Sequence, residues 1–250
     1  MPNKMQLGDN QWRGRRVAFL GDSITDAAHI GTTRNYWQYL ADFPGLEPLV
    51  YGVNGRRWND VKAQAERLFA EQGGEVDAIV IFMGTNDYNG STPLGEWYDI
   101  RETAVNSHGK MVTRPRRSFR MDETTLRGCI NIGMKYVKEH FPRQQVILLT
   151  MLHRAFAEFG GDNIQPDESF PNDLGLYVDD YVEVIKEAGN VWSVPVIDLH
   201  SLAGLLPTLD AYAEYFHDAA TDRLHPAATG HERIARTLAY QLLALPSTFR

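Results

Sequence analysis

The sequence is poor in cysteine, because Cys129 is the only one in 250 residues. A single thiol excludes a disulfide within the chain and a thiolate metal site. Cys129 falls within a helical pattern of apolar residues. We therefore expect a small buried core side chain there rather than a reactive thiol.

Positive charge is also scarce, since the formal net charge is −7 at pH 7. Binding to nucleic acid relies on clustered Lys and Arg side chains. The one basic run, Arg114-Pro115-Arg116-Arg117, is short and interrupted by proline, which indicates a solvated loop. We therefore expect no nucleic-acid partner.

Long apolar runs are missing as well. No segment approaches the ~18 apolar residues that a membrane span requires, so we expect no membrane partner. Residues 1–7 lack the apolar core of a signal peptide, which predicts a cytoplasmic protein. A secreted or periplasmic protein whose signal peptide had been removed would share these features. The sequence makes no prediction of the oligomeric state.

What the sequence does contain is a regular alternation of apolar runs and amphipathic segments. The apolar runs predict strands at about 17–20, 48–53, 78–83, 145–150 and 194–199. The amphipathic segments predict helices at about 35–43, 58–69, 122–141, 174–188 and 227–243, with Asp122 as an N-cap and Gly189 as a C′ residue. This alternation is typical of an α/β protein with a parallel sheet covered by helices on both faces. Because the composition does not change along the chain, residues 1–250 are predicted to form one domain.

Two segments, 88–120 and 153–173, interrupt the alternation. Each follows the C-terminal end of a predicted strand, and each is longer than an ordinary connection. Long connections within a compact domain are usually binding loops or lids. We therefore predict that both segments are loop insertions that border a binding site.

The first predicted strand ends in Gly21, Asp22 and Ser23. Glycine allows a sharp turn, and Asp and Ser are both natural helix N-caps, so a strand-turn-helix is predicted. Ligands bind at the carboxyl ends of the strands in open α/β folds. Ser23 is therefore either a nucleophile or a helix cap.

A nucleophilic serine needs a base, and the base needs a third group to orient it. Asp222 and His225 are three residues apart, so a helix-like turn would place them on one face. The Asp222 carboxylate could then accept from Nδ1 of His225, and Nε2 could take the Ser23 proton. The N–H groups of Ser23 and Gly55 and the side-chain amide of Asn86 are candidate donors to the oxyanion.

Four blocks of sequence carry a resemblance to a known family. They are residues 21–25 (Gly-Asp-Ser-Ile-Thr), 53–55 (Val-Asn-Gly), 84–87 (Gly-Thr-Asn-Asp) and 222–226 (Asp-Arg-Leu-His-Pro). In order and spacing they resemble the SGNH (GDSL) hydrolase family across residues 17–231. The resemblance implies a three-layer α/β/α sandwich with a five-stranded parallel sheet in flavodoxin-like strand order. Arg223 departs from the family pattern, because many members have glycine there.

The resemblance also implies roles for individual residues. Ser23 resembles the nucleophile, His225 the base and Asp222 the acid that orients it. Gly55 and Asn86 resemble the oxyanion donors beside the Ser23 amide. The family's chemistry needs no cofactor.

Other acidic and histidine residues are given structural roles. Asp22 and Asp87 are predicted to cap helices or hold turns. A second group is crowded enough to suggest a metal, and it comprises His217, Asp218, Asp222, His225 and His231. The segment that begins at His231 lacks the second histidine of the zinc-protease helix motif. We therefore predict no metal and no cofactor.

Several residues near the strand ends are candidates for substrate binding. The aromatic side chains of Trp58, Tyr88 and Trp97 would suit a sugar ring or an aromatic substrate, although aromatics beside a sheet are more often core residues. His153 and Arg154 would meet a polar group of the substrate, or would form a satisfied pair within their loop.

Together these patterns predict a serine esterase that acts on a small-molecule or carbohydrate ester, with acetyl esters of carbohydrates as the first expectation. A lysophospholipase or thioesterase is the alternative within the same class. A carbohydrate-binding protein without activity is a second alternative, but it would gain nothing from a complete triad. A metal phosphoesterase that used the Asp and His cluster is the third.

Overall fold

The computed structural model describes residues 7–250, so the predicted lack of a signal peptide falls almost entirely outside it. Within these residues the strands are, in chain order, β1 (Arg16–Gly21), β2 (Glu47–Val50), β3 (Ala78–Phe82), β4 (Tyr98–Ser107), β5 (Lys110–Phe119), β6 (Gln145–Leu149), β7 (Ala157–Glu158), β8 (Ile164–Gln165), β9 (Val196–Ile197), β10 (Phe216–Asp218) and β11 (Asp222–Pro226). The helices are α1 (Tyr36–Asp42), α2 (Val61–Gln72), α3 (Thr85–Asn89), α4 (Leu126–His140), α5 (Val178–Trp192), α6 (Leu199–Leu202) and α7 (Ala228–Leu242), with 3₁₀ turns at Trp58–Asp60 and Asp210–Tyr215.

Five of the strands form a parallel sheet in the order β2-β1-β3-β6-β9. Alternate residues of β1 face opposite layers: Ala18 and Leu20 pack with α2, α4 and α5, whereas Val17 and Phe19 pack with α1 and α7. Because both faces are covered, the strand residues are apolar without interruption. The structure confirms the predicted α/β/α sandwich and its flavodoxin-like order.

The start of α4 differs from the prediction. Its N-cap is Thr125, whose side chain accepts from the Gly128 N–H, and not Asp122. Asp122 instead accepts from the backbone N–H and the hydroxyl of Thr124. Asp and Thr are both good caps, and the tight turn that Asp122 stabilises delays the helix by three residues.

The end of α5 also differs. Gly189 lies inside the helix, and the C-cap is Ser193 in a left-handed conformation with φ 52°. A Cβ atom on Gly189 would lie 2.5 Å from Cγ2 of Val196. The glycine is therefore required for close packing of α5 against β9 and not for ending the helix.

The two predicted loop insertions contain regular structure. In the first, β4 and β5 form an antiparallel hairpin of ten residue pairs. In the second, β7 and β8 pair with each other, and β7 also pairs with β11 in a small sheet of order β10-β11-β7-β8. No helix among residues 7–250 has the length and apolar character to cross a bilayer.

Candidate active site

Ser23 lies in a tight turn at the carboxyl end of β1, the strand between β2 and β3. A Cβ atom on Gly21 would lie 2.5 Å from the carbonyl oxygen of Phe82, so only glycine lets the two strand ends approach this closely. The Asp22 carboxylate accepts from the Ile24 N–H at 3.1 Å. The predicted helix after this turn is wrong, because α1 begins only at Tyr36.

Asp222 and His225 lie on β11, and the predicted helix-like turn between them is wrong. The Asp222 carboxylate is held beside the strand because its Oδ1 accepts from the N–H groups of Leu224 and His225 at 3.1 and 3.0 Å. Its Oδ2 lies 2.9 Å from Nδ1 of His225. Local hydrogen bonds thus bring together two side chains that an ideal strand would point to opposite faces.

The other ring nitrogen of His225, Nε2, lies 3.0 Å from Oγ of Ser23. All three residues are buried, with exposures of 4% for Ser23 and 5% for Asp222 and His225. The pair joins residues 202 positions apart in the sequence. An unbroken chain of hydrogen bonds therefore runs from a carboxylate through an imidazole to a serine hydroxyl.

The electrostatics favour an ionised Asp222. Burial opposes the charge, but hydrogen bonds from the His225 side chain and from the two backbone N–H groups outweigh it and hold the pKa of Asp222 below its ordinary value. An ionised carboxylate keeps the proton of His225 on Nδ1 and leaves Nε2 to accept.

The candidate oxyanion donors converge on the same edge of the sheet. Among residues 7–250, neither the Ser23 N–H nor the Gly55 N–H has a hydrogen-bond acceptor. Gly55 sits at a turn with φ 76°, a conformation that favours glycine. Asn86, at the start of α3, donates from Nδ2 to the Arg56 carbonyl at 2.9 Å, which ties α3 to the Gly55 turn. Its second amide hydrogen remains for a ligand.

Two further carboxylates fix this arrangement. The Asp87 carboxylate accepts from the Trp58 N–H at 3.1 Å and so links α3 to the 3₁₀ turn before α2. Burial raises the pKa of Asp22 to about 6 and that of Asp87 to about 7. Both hold turns through backbone N–H groups, as the sequence predicted.

Sequence comparison places this geometry in a family. The model of the GDSL-like lipase/acylhydrolase family matches residues 19–233, which include every residue of the hydrogen-bonded chain. The chain belongs to this family. The predicted resemblance is thereby confirmed at the level of the family and of acylhydrolase chemistry. No curated protein matches the sequence of this acylhydrolase.

Solved structures share the fold of this acylhydrolase over nearly its whole length. A protein from Lactobacillus plantarum is 25% identical with a TM-score of 0.71, covering 93% of this chain and 98% of its own. An acetylxylan esterase from Geobacillus stearothermophilus is 18% identical with a TM-score of 0.55, covering 97% and 98%. An α/β hydrolase from the metagenome of Lake Arreo, Spain, is 20% identical with a TM-score of 0.52, covering 92% and 97%.

The three aromatic residues predicted to bind substrate all donate hydrogen bonds within the protein. Trp58 is fully buried, and its Nε1 donates to the Met83 carbonyl. Tyr88 is 4% exposed and donates to the Phe170 carbonyl. Trp97 donates to Glu187 on α5. Trp58 and Tyr88 are therefore core residues, and the partly buried Trp97 packs against the core beside α5.

His153 and Arg154 both contact the carboxylate of Glu168 within their own loop. Nδ1 of His153 lies 2.6 Å from Glu168, and the backbone N–H of Arg154 donates to the same carboxylate. Arg154 is 1% exposed, and its guanidinium donates to Gln165 on β8 and to Thr85 beside Asn86. Burial lowers the pKa of Arg154 to about 10. This arginine is a buried link between the β7–β8 hairpin and α3.

One aromatic contact with the site was missed by the sequence reasoning. Phe159, at the tip of the β7–β8 hairpin, has its ring centroid 5.2 Å from that of His225 and is 40% exposed. Gly160 and Gly161 follow it with positive φ values, as a tight hairpin turn requires. The Phe-Gly-Gly sequence could have indicated a hairpin tip, but nothing in it indicates the strand that the hairpin joins.

A cavity of about 540 Å³ lies beside the residues that pack against His225. Its wall includes Gly31, where a Cβ atom would lie 2.7 Å from Cβ of His225. Hydroxyl, imidazole and carboxylate groups line it, from Thr32, Thr33, Thr229, His29, His217 and Glu214. Across residues 7–250, no three His, Cys, Asp or Glu side chains are grouped to ligate a metal ion.

Proposed function

We propose that this protein is a serine esterase that hydrolyses short-chain esters, with acetylated carbohydrates as its substrate class. The observation that carries the proposal is the chain of hydrogen bonds from Asp222 through His225 to Ser23, at 2.9 and 3.0 Å. Ester hydrolysis by serine requires a hydroxyl, a base within hydrogen-bond reach and a group that orients the base. The family assignment supports acylhydrolase chemistry.

In the first half-reaction, Oγ of Ser23 attacks the ester carbonyl while Nε2 of His225 takes the hydroxyl proton. The tetrahedral intermediate then collapses, and His225 gives this proton to the departing alcohol oxygen. The acyl group remains on Ser23 as an ester. In the second half-reaction, water attacks this ester, His225 takes a proton from the water, and the free acid leaves as Ser23 regains its proton.

The negative charge of each intermediate falls on the former carbonyl oxygen. The unpaired N–H groups of Ser23 and Gly55 and the second amide hydrogen of Asn86 are the donors to this oxygen. Loss of one such donor costs roughly 2.7–4 kcal/mol in activation free energy in other serine hydrolases. Because the donors are held by backbone turns, they need no rearrangement when the charge forms.

The surroundings of His225 support a carbohydrate as the alcohol. The cavity that Gly31 separates from His225 has threonine hydroxyls and a carboxylate in its wall, which suit sugar hydroxyl groups. On another side, the exposed face of Phe159 suits the apolar face of a sugar ring. A solved structure of the same fold is an acetylxylan esterase, so the fold is compatible with this class of substrate.

Substitution of the nucleophile tests the proposal. We expect Ser23→Ala to lower kcat for nitrophenyl acetate and for acetylated sugars by several orders of magnitude, with an unchanged circular dichroism spectrum. Ser118→Ala, at an exposed serine of β5, is the matched control and should retain full activity. A folded Ser23→Ala protein with most of its activity would refute the serine mechanism.

Two further measurements extend the test to the base and the substrate. His225→Ala removes the group that accepts the Ser23 proton, so kcat should fall by several orders of magnitude, and a folded variant that kept most of its activity would count against this base. Across esters that differ only in the acyl group, acetyl should be preferred to octanoyl. The opposite preference would favour a lysophospholipase or thioesterase.

A further inference from the structure

Arg154 places a charged side chain in the interior of the protein, with an exposure of 1%. Its guanidinium donates to the carbonyl oxygen and the hydroxyl of Thr85, both at 3.3 Å, and to the side-chain oxygen of Gln165 at 2.6 Å. These acceptors are uncharged, and Nε of Arg154 has no hydrogen-bond partner among residues 7–250. Burial of a charge costs free energy unless an opposite charge pairs with it. Stability alone therefore does not account for an arginine at this position.

The two ends of the guanidinium reach two different elements of the fold. Nη1 bonds to Thr85, the first residue of α3, and Nη2 bonds to Gln165 on β8. A guanidinium is planar and presents its N–H groups in a fixed fork. Bonds from both ends of this fork therefore set the distance and the angle between α3 and the β7–β8 hairpin.

The backbone beside Arg154 is bonded to the strand that carries the base. The Ala155 N–H donates to the Arg223 carbonyl at 3.2 Å, and the Arg223 N–H donates to the Phe156 carbonyl at 3.0 Å. Arg223 lies on β11, within the segment that carries the acid and the base. Residues 154–156 therefore hold β11 through their backbone and α3 through the Arg154 side chain.

The residue that follows Thr85 in α3 is Asn86, one of the candidate oxyanion donors. Because α3 has only five residues, a shift of its first residue moves the second as well. The Asn86 amide is held on one side by its bond to the Arg56 carbonyl, next to the Gly55 turn. On the other side, Arg154 holds the neighbouring Thr85. The position of the Asn86 amide therefore depends on both contacts.

We propose that Arg154 is a positioning residue that holds the Asn86 amide in place for the oxyanion that forms at Ser23. It does so by tying α3 to the segment that is bonded to β11, so that one side chain relates the oxyanion donor to the base. In this role Arg154 acts through Asn86 and needs no contact with the substrate. The inference rests on the proposed function, because Asn86 is an oxyanion donor only in that reaction.

A double-mutant cycle with Asn86 tests the proposal in the hydrolysis of nitrophenyl acetate. We expect Asn86→Ala to lower kcat about 100- to 1,000-fold, and Arg154→Met to lower it roughly 10- to 100-fold. KM should hardly change, because the ester carries no oxyanion before attack. When Arg154→Met is added to the Asn86→Ala protein, kcat should fall by less than about 2-fold, because the donor that Arg154 positions is already absent. A general loss of structure would instead multiply the two factors.

A second variant tests the hairpin end of the same link and leaves the arginine in place. Gln165→Met removes the acceptor of Nη2 and keeps both bonds to Thr85. We expect kcat to fall about 3- to 10-fold, and this loss should also disappear in the Asn86→Ala background. Circular dichroism shows whether each variant is folded, and Gln165→Met carries the test if Arg154→Met is not.

Arg101→Met, at an exposed arginine of β4, is the matched control and should leave kcat unchanged in both backgrounds. The inference is overturned if the losses multiply in the double variants, if they fall on KM instead of kcat, or if the folded Arg154 and Gln165 variants keep the wild-type kcat. An equal loss in the Arg101 control would also overturn it. The proposed function fails by a different result, which is a folded Ser23→Ala protein that retains its activity.

Discussion

The two insertions after the strand ends become β-hairpins with opposite relations to Ser23. The β4–β5 hairpin (residues 98–119, the arm) pairs only with itself, and its base stacks on Trp192 of α5. The β7–β8 hairpin pairs with β11, the strand that carries Asp222 and His225, and its tip reaches the His225 ring. Both segments leave the same edge of the sheet, so the starting point of an insertion does not decide whether it enters the site. The strand with which it pairs decides that.

Substitution of Arg154, the buried arginine under the β7–β8 hairpin, should have the largest effect among the tests of this comparison between the two hairpins. Arg154→Met leaves Gln165 and Thr85 without their donor, so we expect the free energy of unfolding to fall by roughly 3 kcal/mol. Urea denaturation measures this free energy of unfolding. Arg101→Met, at an exposed residue of the arm, should change this free energy by less than about 0.5 kcal/mol. Equal losses for the two arginines would contradict the comparison.

Buried carboxylates on the site side should also control the pH dependence of stability. Burial raises the pKa of Asp87 to about 7 and that of Asp22 to about 6. The folded protein therefore holds protons that the unfolded chain releases above about pH 4. The contribution of these groups to stability is complete below that pH and is lost as the pH rises toward about 7.

Asp87→Asn tests this sign, because an amide can still accept from the Trp58 N–H but cannot ionise. We expect the variant to be more stable than wild type at pH 8 by on the order of 1 to 3 kcal/mol, with little difference near pH 4. Denaturation at both pH values measures it, and Glu102→Gln on the arm is the control. A variant that loses stability at pH 8 would show that the charged carboxylate is favourable.

The smallest expected effect concerns the aromatic tip of the short hairpin. Phe159→Ala removes the exposed aromatic face beside His225 on which a sugar ring would pack, a contact that we value at roughly 0.5–1.5 kcal/mol, so kcat/KM should fall about 2- to 10-fold. KM for acetylated sugars should carry most of the loss, and stability should hardly change. Ile100→Ala on the arm should leave both constants as they are. Identical kinetics for the two variants would remove Phe159 from the site.

Much of the central sheet could be predicted from the sequence because burial on both faces leaves a simple signal. The run Ala78–Phe82 is entirely apolar and is entirely buried. Element boundaries were less predictable where neighbouring residues compete for one role, as Asp122 and Thr125 do at the start of α4. The start of α4 then depends on which of the two side chains bonds the helix and which bonds a neighbouring turn.

The residues of the site also fall into two groups, those that local sequence predicts and those that depend on long-range contacts. Ser23, Asn86 and His225 lie in short motifs at strand ends, so local sequence is enough to suggest them. The contact of Phe159 with His225 depends on pairing between β7 and β11, strands 65 residues apart at Ala157 and Asp222. Nothing in the sequence indicated that Arg154 is buried, because a charged side chain is usually exposed. Long-range pairing and charge compensation were therefore the parts that the sequence could not supply.

The hydrogen bond between His225 and Ser23 spans 202 positions, which has a consequence for folding kinetics. Contacts distant in sequence form slowly, because closing a long loop costs chain entropy before any contact forms. The sheet can nucleate through β1 and β3, whose pairing needs a far shorter loop. In a refolding experiment, acylhydrolase activity should therefore recover later than the circular dichroism of the helices. The delay measures how long the strand β11 takes to bring His225 to Ser23.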